Sequence, residues 1–145
     1  MKDTSKFSLD PHQLKVEKPW GFELILSSKD SRVTSKILHV NKGERISLQY
    51  HYVKEEILTL LTGDGILELE DSSGKIRKFK MEFRKSYVIV PNQIHRIGAG
   101  AQDCEIMESS TPEVGNTVRL EDDYKRTTET PESRSKRTSG GTYMG

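Results

Sequence analysis

A single all-β domain, either a sandwich or a barrel, is what this sequence predicts, and three observations carry the prediction. Between Lys15 and Glu108, short β-prone runs alternate with clusters of Gly, Asn, Asp, Ser and Pro, the spacing of many short strands joined by turns. No stretch in that span holds apolar residues at a sustained helical period. The chain has 145 residues, enough for one domain with a real core and too few for two of ordinary size.

Taken in order, residues 1–14 form an N-terminal extension, 15–126 the β-domain and 127–145 a polar tail. The opening MKDTSKFSLDPHQLK has no apolar run resembling a signal h-region. No segment approaches the roughly 20 apolar residues of a membrane span, so a soluble, cytoplasmic protein is expected. Phe22 to Leu26 reads as the first strand, with Trp20 in KPWG packed at its start. Val33 to Val40 and Ile46 to Tyr50 follow. Ile57 to Leu61 and Gly65 to Glu70 flank TGDG, and DSSG precedes Ile76 to Met81; both four-residue segments carry the Gly and Asx chemistry of tight turns. ILELE alternates as a half-buried strand does, whereas EILTLLTG and YVIVP are more continuously apolar. Ser86 to Val90 and Cys104 to Ser109 complete the set. RTTETPESRSKRTSGGTYMG holds little besides small, polar and charged residues, so disorder is expected there, with Arg134, Lys136 and Arg137 as a basic docking segment in the alternative.

Charge excludes some partners. With 23 Lys plus Arg against 22 Asp plus Glu, no global field favours nucleic acid or an anionic membrane, and neither is expected as a partner. Cys104 is the only cysteine, which rules out an internal disulfide framework and suits a reducing compartment.

The chemistry concentrates in GERISLQYHYVKEEILTLLTG, Gly43 to Gly63. Residues two apart in a strand share a face, so Gln49 and His51 point the same way, together with Ser47 and Arg45. Glu56 opens the next strand. An imidazole, a carboxylate and an amide oxygen brought together at adjacent strand ends suit a borderline divalent cation: Zn first, with Mn, Fe or Co as alternatives. His95, in VPNQIHRI, is the natural fourth ligand, because antiparallel sheets bring distant strands side by side. The bland alternative for each of these is a hydrogen-bonded surface or core residue.

The pattern G-x5-Q-x-H-x4-E-x6-G, filled by Gly43, Gln49, His51, Glu56 and Gly63, resembles the first cupin motif with Gln in place of its first His. VEKPWGFELIL, KILHVNKGERISLQYH and VRLEDDYKR are similar to the C-terminal cupin domain of type II mannose-6-phosphate isomerases, over about residues 15–126. The resemblance implies a cupin double-stranded β-helix, a jelly-roll barrel, with one divalent ion on Gln49, His51, Glu56 and His95. It implies a metal-dependent aldose–ketose isomerase acting on a sugar phosphate or nucleotide sugar in nucleotide-sugar or polysaccharide precursor supply. A homodimer and a functional link to a separate nucleotidyltransferase are also expected. Lys36, His39 and Glu23 are candidate bases by proximity to the motif strands, and Arg45, Arg96 and Arg119 are candidate contacts for a phosphate. Only His95 survives intact from the second cupin motif. Lys54, Ile57 and Leu58 replace an Arg and a His-Trp pair common in the family, departures that favour a non-catalytic sugar-binding or regulatory cupin; a metal-independent nucleotide-sugar isomerase or epimerase is a third reading.

Overall fold

The computed structural model describes residues 1–112, 114–139 and 142–143. Its strands are β1 (Leu14–Lys18), β2 (Gly21–Ile25), β3 (Thr34–Val40), β4 (Leu48–His51), β5 (Glu56–Glu70), β6 (Ile76–Lys80), β7 (Ser86–Ile89), β8 (His95–Ser110), β9 (Thr117–Glu121) and β10 (Thr142–Tyr143), with one helix, α1 (Pro131–Ser139), before the last. The strand order is β10-β1-β2-β3-β8-β4-β9, and β5 pairs with β6, β7 and β8. Every pairing between strands is antiparallel.

The roll of the sheet comes from β5 and β8. They run 15 and 16 residues and pair from Glu56↔Ser110 to Leu69↔His95, with register breaks at Leu60/Thr62 and Gly63/Gly65. Each therefore bends and serves both halves of the molecule, giving the jelly-roll architecture that the family resemblance implies.

TGDG is not the tight turn expected from its composition but the bend within β5. Gly63 has φ of 80°, and a Cβ at that position would overlap the Asp103 carbonyl oxygen of β8. Its role is close backbone approach at a bulge, which local composition does not distinguish from a hairpin. DSSG does turn the chain: the Asp71 carboxylate accepts from the backbone N–H groups of Ser73 and Lys75 at 2.9 and 3.1 Å.

Along the inward faces, side chains change from apolar to ionisable towards one end. On β3 the sequence is Val40, Leu38, Lys36; opposite them on β8 stand Cys104, Ile106 and Glu108. On β5 Leu60 and Leu58 give way to Glu56. Leu58, Ile106, Val40 and Ile97 belong to the apolar core with Trp20 and Cys104, and the ionisable ends gather at the mouth of the barrel. Burial pushes the Cys104 thiol up to about 12, with Asp64 and Asp103 adding to it. At pH 8 its thiolate fraction is then only ~10⁻⁴. A thiol reagent should label the native protein at least ~100-fold more slowly than the unfolded chain, and comparable rates would refute a closed core here.

The stretch expected to be a disordered tail returns to the barrel in its described part. Glu129 bridges Thr117 through two backbone hydrogen bonds, and the Arg134 side chain donates to Glu129 at 2.8 Å and to the Gly115 carbonyl at 3.0 Å. Ion pairing holds a segment whose composition offers little apolar surface. The Arg137 side chain and residues 140, 141, 144 and 145 lie outside the described part. Among the described residues, no helix is long and apolar enough to cross a membrane.

Candidate metal centre and its pocket

Strand parity builds the centre. Gln49 and His51 lie on β4, and Gln49 pairs directly with His95 at the start of β8. Glu56 opens β5, whose inward face it shares with Leu58 and Leu60. His51, Glu56 and His95 are all buried, and each offers a ligand atom within 4.8 Å of the others. His95 Nε2 stands 3.0 Å from Glu56 Oε1, and His51 Nε2 stands 3.8 Å from Glu56 Oε2.

The outer ring nitrogens orient both imidazoles and fix the tautomer of His95. His95 Nδ1 lies 2.9 Å from the Gln93 carbonyl, which can only accept, so Nδ1 carries a proton. In the neutral ring Nε2 is then a bare lone pair aimed at a carboxylate oxygen, and no hydrogen bond satisfies it. Two electron-rich atoms 3.0 Å apart in a dry site need a positive charge between them, either a proton or a metal ion. His51 Nδ1 is held by the Thr117 hydroxyl at 3.0 Å, a partner that can donate or accept and so orients the ring without fixing its tautomer. Rings anchored through Nδ1 with Nε2 converging are oriented as metal-ligating imidazoles are, so the donor set fits a borderline divalent cation.

Gln49 is the adaptable member. Its Nε2 lies 3.5 Å from His51 Nε2, and its Oε1 accepts from the Ser47 hydroxyl at 2.6 Å. That hydroxyl can donate or accept, so a half-turn of the amide would present oxygen to the cluster and keep the bond to Ser47.

Burial works against ionisation of Glu56, but the Lys54 ammonium, followed by the His95 and His51 imidazoles, outweighs it and holds the carboxyl well below the usual carboxylate range. Lys54 Nζ sits 3.1 Å from Glu56 Oε2 and 3.2 Å from Glu108 Oε2. A pocket of about 530 Å³, counting its open mouth, extends outward from this group. Its lining includes Lys18, Lys36, Lys54, Arg119 and Arg126 against Glu23, Glu56, Glu108 and Glu129.

The residues expected from sequence divide between pocket and exterior. Lys36 and Glu23 face the pocket, 3.9 Å apart. His39 does not: on β3 the inward parity is Lys36, Leu38, Val40, so His39 points outward, stacks on Phe22 at 4.6 Å and pairs with Glu105 and Asp103. Arg119 lines the pocket, its guanidinium 3.6 Å from Glu129. Arg45 lies outside, in a two-point pair with Asp123 at 2.7 and 2.9 Å. Arg96 is buried on the opposite face from His95, where it donates to the Ile46 and Glu121 carbonyls.

Sequence reasoning gave no site role to Lys18, Glu108, Thr117, Arg126 or Glu129. Thr117 and Arg126 sit in or beside the terminal VRLEDDYKR, and Glu129 sits in the stretch expected to be disordered. Lys54 had a usable signal, two residues before Glu56 and therefore on its face.

A family model described as mannose-6-phosphate isomerase C-terminal matches residues 5–128. No curated protein matches the chain. Solved structures include the capsular polysaccharide assembling protein CapF of Staphylococcus aureus, with TM-score 0.62 and 14% identity over 88% of this chain and 33% of that one. An oxalate decarboxylase of Lactobacillus farciminis gives TM-score 0.66 and 17% identity over 83% of this chain and 38% of its own. KdgF from a Halomonas species gives TM-score 0.58 and 17% identity over 70% of this chain and 87% of its own. The chain thus spans about a third of the CapF length, and at these identities the likeness concerns the fold.

Proposed function

The chain belongs to the mannose-6-phosphate isomerase C-terminal family and folds as a cupin, and from that premise we propose that it is a metal-dependent sugar isomerase acting on a phosphorylated aldose–ketose pair. The observation that carries this reading is the convergence of His51, Glu56 and His95 beside a pocket whose lining includes Arg119, Arg126 and Lys18. A divalent ion held there would supply Lewis acidity to the oxygens on C1 and C2 of a sugar. Zn suits the imidazole-rich donor set, with Mn, Fe or Co accommodated by the carboxylate and amide.

The remaining work falls to the chain's own side chains. Arg119, Arg126 and Lys18, all in the pocket lining, supply the charge that a phosphate dianion requires. Isomerisation also needs a group that lifts a proton from one carbon and returns it to the next. The Glu23–Lys36 pair is placed for this on the pocket face of β2 and β3. Glu23→Gln and Lys36→Met should each reduce kcat by ~10²-fold or more, the usual contribution of a positioned acid or base, with metal content unchanged. If neither affects kcat, the proton carrier lies elsewhere.

A non-catalytic sugar-binding cupin is the second reading. It is favoured by the pairing of pocket cations with pocket carboxylates, Lys36 with Glu23 and Arg119 with Glu129, which a ligand would have to exchange. Conversion of mannose-6-phosphate to fructose-6-phosphate, followed with a coupled assay and with elemental analysis of the same preparation, separates the two. Turnover at about one transition metal per chain is expected. Metal without turnover of any hexose phosphate or nucleotide sugar would favour the binding module, and turnover without metal would favour a metal-independent isomerase in which His51 or His95 moves the proton.

A further inference from the structure

We propose that Lys54 is a resident cation that shares Glu56 with the metal ion, weakening the metal site while keeping the metal-free barrel folded. The inference rests on the metal reading above and concerns what this chain adds to it.

Lys54 lies two residues before Glu56 and shares its inward face. Its ammonium is 3.1 Å from Glu56 Oε2 and 3.2 Å from Glu108 Oε2, and all three side chains are at most 6% exposed. The other Glu56 oxygen faces His95 Nε2 at 3.0 Å. Glu56 Oε2 is therefore shared between the ammonium and the His51 ring 3.8 Å away, while Oε1 is left to His95. Glu108 holds Lys54 from the far side and is itself anchored by the Ser110 hydroxyl at 3.2 Å, so the ammonium is fixed between two carboxylates.

Two consequences follow. A fixed positive charge in contact with one ligand repels a dication and competes with it for Glu56 Oε2, so affinity is lower than the donor set alone would give. A buried carboxylate also has its counter-ion without any metal, so the barrel need not wait for an ion in order to fold. Replacing the ammonium with an uncharged chain of similar length should reverse both effects, because Glu56 and Glu108 then lose the charge that sits between them and an added cation can take its place.

The test compares Lys54→Met, Lys54→Arg and Glu108→Gln with the native protein, measuring Zn²⁺ affinity by calorimetry, Co²⁺ binding by absorbance, and melting with and without EDTA. Lys54→Met should bind at least tenfold more tightly, melt lower than the native protein in EDTA and recover when Zn²⁺ is added. Lys54→Arg should stay within about threefold of native affinity. Glu108→Gln removes the negative charge on the far side of the ammonium, strengthens its hold on Glu56 and should weaken metal binding, a change of opposite sign that does not depend on Lys54→Met folding without metal. A purely structural Lys54 would instead lower the melting point equally with and without Zn²⁺ and leave affinity unchanged, which would overturn the inference while the metal reading stands. If neither the native protein nor Lys54→Met binds Zn²⁺ or Co²⁺, both fall together.

Discussion

His51→Ala and His95→Ala are each expected to lower Zn²⁺ affinity by at least ~100-fold and to abolish isomerase turnover, while the protein remains folded. Loss even of a partner that only orients a ligand costs 10–100-fold, and these substitutions remove a ligand outright. The two imidazoles lie with centroids 5.2 Å apart and are tied back through Nδ1 to Thr117 and the Gln93 carbonyl, so neither can swing to replace the other. Truncating fully buried His95 also leaves a cavity, costing roughly 2 kcal/mol at the low end for a large side chain. His95→Gln keeps most of the volume and separates this cost from the loss of a donor. Gln49→Ala should cost less, about tenfold, because the amide presents nitrogen rather than oxygen to His51 and its oxygen is held by Ser47. Calorimetry on metal-stripped protein decides the order. Retention of native affinity in His51→Ala would show that the ion, if bound, sits elsewhere.

The centre was readable from sequence because its logic is local. Gln49 and His51 share a strand face, Glu56 opens the adjoining strand, and His95 follows an apolar strand that must pack nearby. The pocket wall was harder. In SKILHV both parities carry an apolar residue, Ile37 on one face and Leu38 on the other, so nothing local decides whether Lys36 or His39 faces inward. Only pairing of β3 with β8, which sets Lys36 opposite Glu108 and Leu38 opposite Ile106, settles the question. Arg45 was placed inward by extending strand parity back from Gln49, but β4 begins at Leu48 and the chain before it follows a different course, leaving Arg45 to Asp123. Glu129 was hidden for another reason. Composition reports whether a segment can bury apolar surface, and this one cannot; it is held by Arg134, Arg119 and the backbone of Thr117, a long-range pairing that composition does not encode.

Acid should destabilise the metal-free protein through Glu56 in a definite window. Its native carboxyl lies below the unfolded value of about 4.5, burial being outweighed by Lys54, His95 and His51. A carboxyl depressed in the native state contributes stability that is fully present above the unfolded value and is lost as pH falls from there towards the native one. In EDTA, the melting temperature should therefore fall as pH drops below about 4.5. Asp103, Asp122 and Asp123 are also lowered by their partners and act with the same sign, so the native curve alone does not isolate Glu56. Glu56→Gln does. At pH 7 the variant breaks a buried pair with Lys54 and should lose ~3 kcal/mol, the low end for such a break, or roughly 6–12 °C at this chain length. Below pH 4.5 the native curve should descend towards that of the variant, because protonation removes in the native protein the charge that the substitution has already removed. Parallel curves from pH 7 to pH 3 would mean that Glu56 is not ionised in the metal-free barrel, and that the Lys54–Glu56 pair contributes nothing there.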